Sequence, residues 1–465
     1  MQNLFSLFGD LAPVPEPATI PDMQQQQVDQ LLQFLSFPSI SADRAYADYV
    51  SDCAAWLLQK LEAMGLRTEL HKTAGHPIVI ARNEHRPELR TVLIYGHYDV
   101  QPVDPLELWS SPPFDPKIID EVVYARGATD NKGQILAHIL GVEEALKNGP
   151  LPVNLIFLIE GEEEVGSEHL APFLEAHREE LKCDVIAISD TGMIAPGVPT
   201  FTYGLRGVAA MEVELVGPQM DLHSGIYGGA VANPLTVLSR LLATLHDDEG
   251  RVAIEGFYDE VEPMQQWERD AWKKLPMTDT AFLELTGALQ LTGEAGYSSV
   301  ERVWARPTAE INGIGGGYQG EGSKTVIPSR AFAKLTFRLV PAQSPEKILA
   351  LAQAHLEKHC PRTVQIKVTP GHFGSAYVVD PHNRFGLAAQ AALQETFGAE
   401  VALIREGGSI PIVQNFKDVL GVDTLLLGLA LPDCRAHSPN ENFPLANFFA
   451  GIQLNQLLLK HLAAV

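Results

Sequence analysis

Cysteine is scarce in this chain: Cys53, Cys183, Cys360 and Cys434 are the only four in 465 residues, far apart and without CxxC spacing. A disulfide framework is not expected in so large a chain, and reduced thiols are. Positive charge is also short, with 34 Lys and Arg against 58 Asp and Glu, a formal charge of −24. Such a chain is a poor partner for nucleic acid or for an anionic membrane, since both are polyanions. Long apolar runs are missing: VNLIFLI and TLLLGLALP fall well below the ~18 residues that span a bilayer. The opening stretch MQNLFSLFGDLAPVPEPATI has no Lys or Arg ahead of its short apolar segment, unlike a secretory signal. These absences lead to the expectation of a soluble, cytoplasmic protein. No internal repeat or low-complexity tract stands out.

What remains is an ordinary globular mix, 46% apolar and 20% charged, in a chain long enough for two domains. Residues 12–21 are Pro-rich and read as a loose arm. Residues 24–36 and 44–64 read as amphipathic helices. PIVIA (77–81), TVLIYG (91–96), VNLIFLIEG (153–161) and DVIAIS (184–189) read as buried strands, with helices expected at 131–147 and 168–181. Apolar strands separated by helices predict a mainly parallel α/β sheet covered on both faces. Near residue 206 the pattern changes. VAAMEVELVG (208–217) and AFAKLTFRLV (331–340) alternate as half-exposed strands do, and helical patterns at 231–246 and 344–359 accompany them. An α+β insert over 206–376 is therefore expected within a catalytic domain formed by 1–205 and 377–465, the latter ending in a helix at 445–462. VAAMEVELV is also expected to offer an edge against which a second copy could pair.

The residues suited to chemistry follow the expected strands. His97 and Asp99 come directly after TVLIYG, where sites form in open α/β sheets. A neutral imidazole suits zinc-like ions, and a carboxylate two residues on can hold its other nitrogen. Asp130, in RGATDNKGQ, follows a turn and opens a helical pattern. It could be a simple N-cap, or it could offer one oxygen to each of two cations. EGEEEVGS (160–167) crowds acids at the end of VNLIFLI. Those charges repel unless cations offset them, and they allow both a ligand and a general base. Asp190 in ISDTG and His437 in AHSPNE also follow expected strands. Cys434 and His437 form a CxxH, a weaker alternative for zinc. Two histidines and three carboxylates at one sheet edge would fit two ions sharing a carboxylate.

In this order, the motifs resemble those of the metallopeptidase family that contains carnosinase, cytosolic non-specific dipeptidase, aminoacylase and succinyl-diaminopimelate desuccinylase. The resemblance runs from about residue 25 to the end. DLHSGIYGG (221–229), GEGSKTVIPSRAFAKLTFRLVP (320–341) and REGGSIP (405–411) bring it closest to the dipeptidase branch. It implies a zinc-exopeptidase-like α/β fold with a lid that also makes a homodimer. It implies two divalent ions per subunit, Zn first, with Mn or Co possible. His97 and Asp190 would hold one and Glu164 and His437 the other, with Asp130 bridging ahead of a cis peptide to Asn131. Asp99 would orient His97, and Glu163 would be the general base. His223 would act in the neighbouring subunit, Arg338 would grip a substrate carboxylate, and Thr325 and Ser409 would touch substrate. His382 falls where the dipeptidase pattern is followed only loosely. The implied reaction is hydrolysis of dipeptides or short peptides with a free C-terminus by a metal-bridging hydroxide. An N-acyl amino acid hydrolase and a non-catalytic metal-binding scaffold are the alternatives.

Overall fold

The structure, a computed structural model, describes residues 22–408 and 410–465. The Pro-rich stretch 12–21 and Ser409 lie outside the described residues. The larger sheet runs in the order Arg67–His71, Ile78–Arg82, Asn154–Glu160, Thr91–His97, Val185–Ile188, Thr424–Gly428, Thr200–Leu205 and Tyr377–Val378, and Ala402–Glu406 also pairs with Thr200–Leu205. Its four central strands, from Asn154–Glu160 to Thr424–Gly428, are mutually parallel. Their carboxyl ends therefore lie together. These strands are almost wholly apolar and buried, as a sheet covered on both faces requires.

Adjacent residues of one strand show that cover. The ring of Tyr95 packs edge-on to Phe416 of the helix Pro411–Leu420, with centroids 5.1 Å apart. Gly96 faces the opposite way, against Ile135 and Asn131 at the start of the helix Lys132–Lys147. A side chain at Gly96 would collide with both, so the helix approaches the strand through the space glycine leaves. Lys132–Lys147 packs in turn against Asp22–Leu35 and the last helix, Leu445–Ala463.

The second sheet is four-stranded and antiparallel, in the order Thr308–Gly316, Arg330–Leu339, Gly207–Val216 and Gln365–Gly374. Its strands alternate as expected. Ala209, Met211, Val213 and Leu215 turn inward to a separate core with Leu238, Leu241, Ile348 and Leu356 from the helices Pro234–Leu242 and Pro345–His359. The edge expected at VAAMEVELV is not found. Gly207–Val216 is paired on both sides, and Thr308–Gly316 and Gln365–Gly374 form the edges. Between these strands, Trp272, Val300 and Trp304 leave the second sheet's core and pack into the larger one.

Candidate metal centre

The centre forms because the strands deliver their ends to one place. His97 closes its strand and is fully buried. Its Nδ1 lies 3.1 Å from the Asp99 backbone carbonyl, with the Asp99 carboxylate at 3.4 Å. A carbonyl only accepts, so Nδ1 donates and the Nε2 lone pair is turned outward. The Asp99 carboxylate also accepts the backbone N–H groups of Glu163 and Glu164, at 3.2 and 3.1 Å. One buried acid thus fixes both His97 and the acidic turn Glu163–Val165.

Asp130 is the junction. Its Oδ1 lies 3.2 Å from His97 Nε2 and its Oδ2 lies 2.8 Å from His437 Nε2. Asp190 Oδ2 lies 3.7 Å from His97 Nε2, and Glu164 Oε2 lies 3.3 Å from His437 Nε2. Two groups result, His97–Asp130–Asp190 and Asp130–Glu164–His437, each with donor atoms within 4.8 Å of one another. His97 Nε2 is buried and has no hydrogen-bond partner, although two carboxylates face it. A buried polar atom left in this way is costly, and a cation shared with those carboxylates would satisfy it. The donor set therefore fits divalent metal in both groups.

Asp130 differs from the other ligand candidates in its setting: it follows no strand of the larger sheet and precedes Asn131, the N-cap of Lys132–Lys147. The Asp130–Asn131 peptide is cis, as the resemblance implied. Three residues that sequence reasoning missed hold the ligand candidates. Glu441 is fully buried and accepts the N–H groups of Gly127, Thr129 and Asp130 at 2.9–3.0 Å, besides an Arg126 ion pair at 2.7 Å. Asn131 Nδ2 donates to Asp190 Oδ1 at 2.7 Å, and Gln101 Nε2 donates to Glu164 Oε2 at 2.8 Å. No spacing in the sequence pointed to any of the three.

The three consecutive glutamates separate by direction. Glu162 turns to His169 Nδ1 at 2.8 Å, Glu164 faces His437, and Glu163 lines a cavity of about 490 Å³ with Asp130, Asp190 and His437. A larger cavity, about 930 Å³, opens where the central strands begin and is remote from these residues. Burial pushes the Glu163 carboxyl well above the usual range, and the Asp190, Asp130 and Glu164 charges add to this. Burial first, then Asp130, pushes Glu164 up to about 9. For Asp130, burial is outweighed by the hydrogen bond with His437 and the nearness of His97, which hold its carboxyl below the usual range. Burial opposes the charged form of His97, but Asp130, Asp190 and Asp99 outweigh it and raise the imidazole well above its ordinary value. Carboxylates forced this close call for added positive charge, which bound divalent ions supply.

The remaining predicted residues lie elsewhere. His223 is exposed and accepts the Gly225 N–H at 3.0 Å, and its short strand pairs with Val326–Ile327, next to exposed Thr325. Neither lines the cavity. Arg338 is close enough to Arg206 to depress its guanidinium, after burial, to about 10. Arg206 in turn reaches the Gly407 carbonyl at 3.3 Å. His382 is exposed and meets the Trp267 ring edge-on at 4.9 Å. Cys434 lines the cavity but belongs to neither ligand group, and burial pushes its thiol up to about 11.

Comparison with known proteins bears on this centre. The family described as Peptidase family M20/M25/M40 matches residues 93–461. The chain belongs to this family. This M20 metallopeptidase is 34% identical to the Cys-Gly metallodipeptidase DUG1 of Candida albicans, over 93% of this chain and 94% of that protein. It is 34% identical to human Beta-Ala-His dipeptidase, over 81% of this chain and 76% of that protein. Among solved structures, the M20 metallo-carboxypeptidase Sso-CP2 of Sulfolobus solfataricus superposes with a TM-score of 0.84 at 34% identity, covering 95% of this chain and all of that one. The α/β fold and the metallopeptidase class both follow.

Proposed function

We propose that this M20 peptidase is a metal-dependent dipeptidase acting on dipeptides or short peptides with a free C-terminal carboxylate. The observation that carries this reading is Asp130, whose two oxygens face two histidines, with Glu163 in the same cavity. The likeness to named dipeptidases over most of the chain supports it.

His97 and Asp190 would hold one ion, Glu164 and His437 the other, and Asp130 both. The mixed imidazole and carboxylate set suits Zn, Mn or Co. When bound, such ions polarise the scissile carbonyl and make water a stronger acid. Glu163 then accepts the proton from the attacking water and delivers it to the leaving amine. Arg338 would pair with the substrate carboxylate through two parallel hydrogen bonds, a geometry a lysine lacks.

His223 would reach the centre of a second copy, since in one chain it lies outside the cavity. Apolar surface for such a homodimer is at hand: Ile226 and Tyr227 beside His223 are exposed, and the edge strand leaves Ile311 and Ile314 about half exposed. Among the described residues no helix is long and apolar enough to cross a membrane, in keeping with a cytoplasmic enzyme.

The test is a substrate panel on metal-loaded protein: Cys-Gly, β-Ala-His, their C-terminal amides, and N-acetyl and N-succinyl amino acids. Cleavage of the free dipeptides is expected, with losses above tenfold on amidation. Preferential cleavage of the N-acyl amino acids would assign the protein to the acylase side instead. Metal binding without turnover of any of them would make it a scaffold.

A further inference from the structure

One buried acid beside the centre takes no part in it. Glu160 ends the strand Asn154–Glu160 directly opposite His97 and is buried. Among the described residues no Lys, Arg or His forms an ion pair with it. Its Oε1 instead accepts two hydroxyls, that of Tyr95 at 2.6 Å and that of Ser167 at 2.8 Å. Tyr95 is fully buried and lies two residues before His97 on the neighbouring strand. Ser167 is the second residue past the turn Glu163–Val165, and its N–H donates to the Glu162 carbonyl at 2.8 Å, which closes the loop. The φ of Ser167 is 51°, in the left-handed region that favours glycine, so a serine stays there only while its bonds hold it.

The acidic turn thus has two anchors. Asp99 accepts the N–H groups of Glu163 and Glu164, and Glu160 accepts the Ser167 hydroxyl where the chain leaves the turn. The two glutamates depend on these anchors unequally. Glu164 has Gln101 and His437 beside it, and a bound ion would fix it further. The Glu163 carboxylate has no hydrogen bond or ion pair among the described residues, so its placement is the placement of the turn.

We propose that Glu160, braced by Tyr95 and acting through Ser167, is a positioning residue for Glu163, an inference that rests on the reading above of Glu163 as the general base. Its task needs an acceptor oxygen rather than a charge, because both hydroxyls meet the same oxygen. Displacing a reacting group by about 1 Å costs about a hundredfold in rate, whereas the ions, whose other ligands lie off the turn, stay bound.

The test measures kcat, KM and bound metal, with the free dipeptide of the panel above that is cleaved fastest. Glu160→Leu removes the acceptor and should lower kcat about a hundredfold, with two ions still bound and KM within about threefold of wild type. Glu160→Gln keeps an acceptor oxygen and should return kcat to within about fivefold of wild type. Ser167→Ala spares the strand and should lower kcat about tenfold, which serves if Glu160→Leu fails to fold. In a Glu163→Gln background Ser167→Ala should lower kcat no further, since the group it positions is already gone. Unchanged kcat in Glu160→Leu and Ser167→Ala, a Glu160→Gln loss equal to that of Glu160→Leu, a Ser167→Ala loss that persists in full beside Glu163→Gln, or loss of metal in step with kcat would each overturn the positioning role and leave the dipeptidase reading intact. Wild-type kcat in Glu163→Gln would overturn the base and its positioning together.

Discussion

At the scale of single residues, two neighbours of identical type face different ways. Glu163 faces the cavity and Glu164 faces His437. Glu163→Gln should retain both ions yet lose at least a hundredfold in kcat, because an amide cannot relay the proton. Glu164→Gln should instead lose metal affinity by tenfold or more. Counting bound metal beside kcat checks this, and a reversed pattern would exchange the two roles. The ligand candidates could be read from sequence because each but Asp130 follows an apolar strand, and a strand end has a recognisable position. Glu441 could not, although it binds three backbone N–H groups of the loop that carries Asp130. A carboxylate that serves backbone donors needs no partner residue type, so it leaves no spacing to find. Asn131 and Gln101 donate instead to the carboxylates of Asp190 and Glu164, and a lone amide at no fixed spacing from its acceptor leaves no pattern either. Ser409, expected to touch substrate, lies outside the described residues.

Elements were legible wherever hydrophobic periodicity was strong. TVLIYG, VNLIFLIEG and DVIAIS became Thr91–His97, Asn154–Glu160 and Val185–Ile188, with ends displaced by at most one residue. Strand order was not legible. Thr424–Gly428 inserts between Val185–Ile188 and Thr200–Leu205, a pairing decided by packing across about half the chain. Nor could the pattern tell which core an apolar face joins, and so the helix Ser299–Ala305 puts Trp304 into the larger core. That helix also builds the cavity wall, and a capping box holds its start: Ser298 Oγ accepts the Glu301 N–H at 3.3 Å, and Glu301 accepts the Ser298 N–H at 2.8 Å. Ser298→Ala should cost about 1 kcal/mol. Urea unfolding measures it, and an unchanged midpoint would show that packing of Trp304 alone holds the helix.

For the whole molecule, the crowded acids predict how stability follows pH when metal is absent. Burial pushes Glu160 and Glu406 up to about 7 each, and Glu164 up to about 9. His97 and His437 are raised as well. These groups bind more protons folded than unfolded above the ordinary carboxylate range. Metal-free protein should therefore lose stability steadily from about pH 5 to about pH 9, and saturating metal should flatten that decline. Denaturant titrations with and without chelator measure it, and metal-free stability that rises over this range would contradict the picture. Subunit exchange is a second whole-molecule test. His223→Ala lacks the donated imidazole and Glu163→Gln lacks the base, so co-refolding the two should recover about a quarter of wild-type activity in a statistical twofold dimer. No recovery in verified heterodimers would place His223 outside the partner's centre. Dipeptide hydrolysis by chelator-stripped protein, followed as Zn or Mn is returned and with bound ions counted on the same samples, decides whether this is a two-metal peptidase. The two ligand groups astride Asp130 predict no turnover without metal and full turnover at two ions per chain; turnover in metal-free protein, or saturation at a single ion, would contradict it.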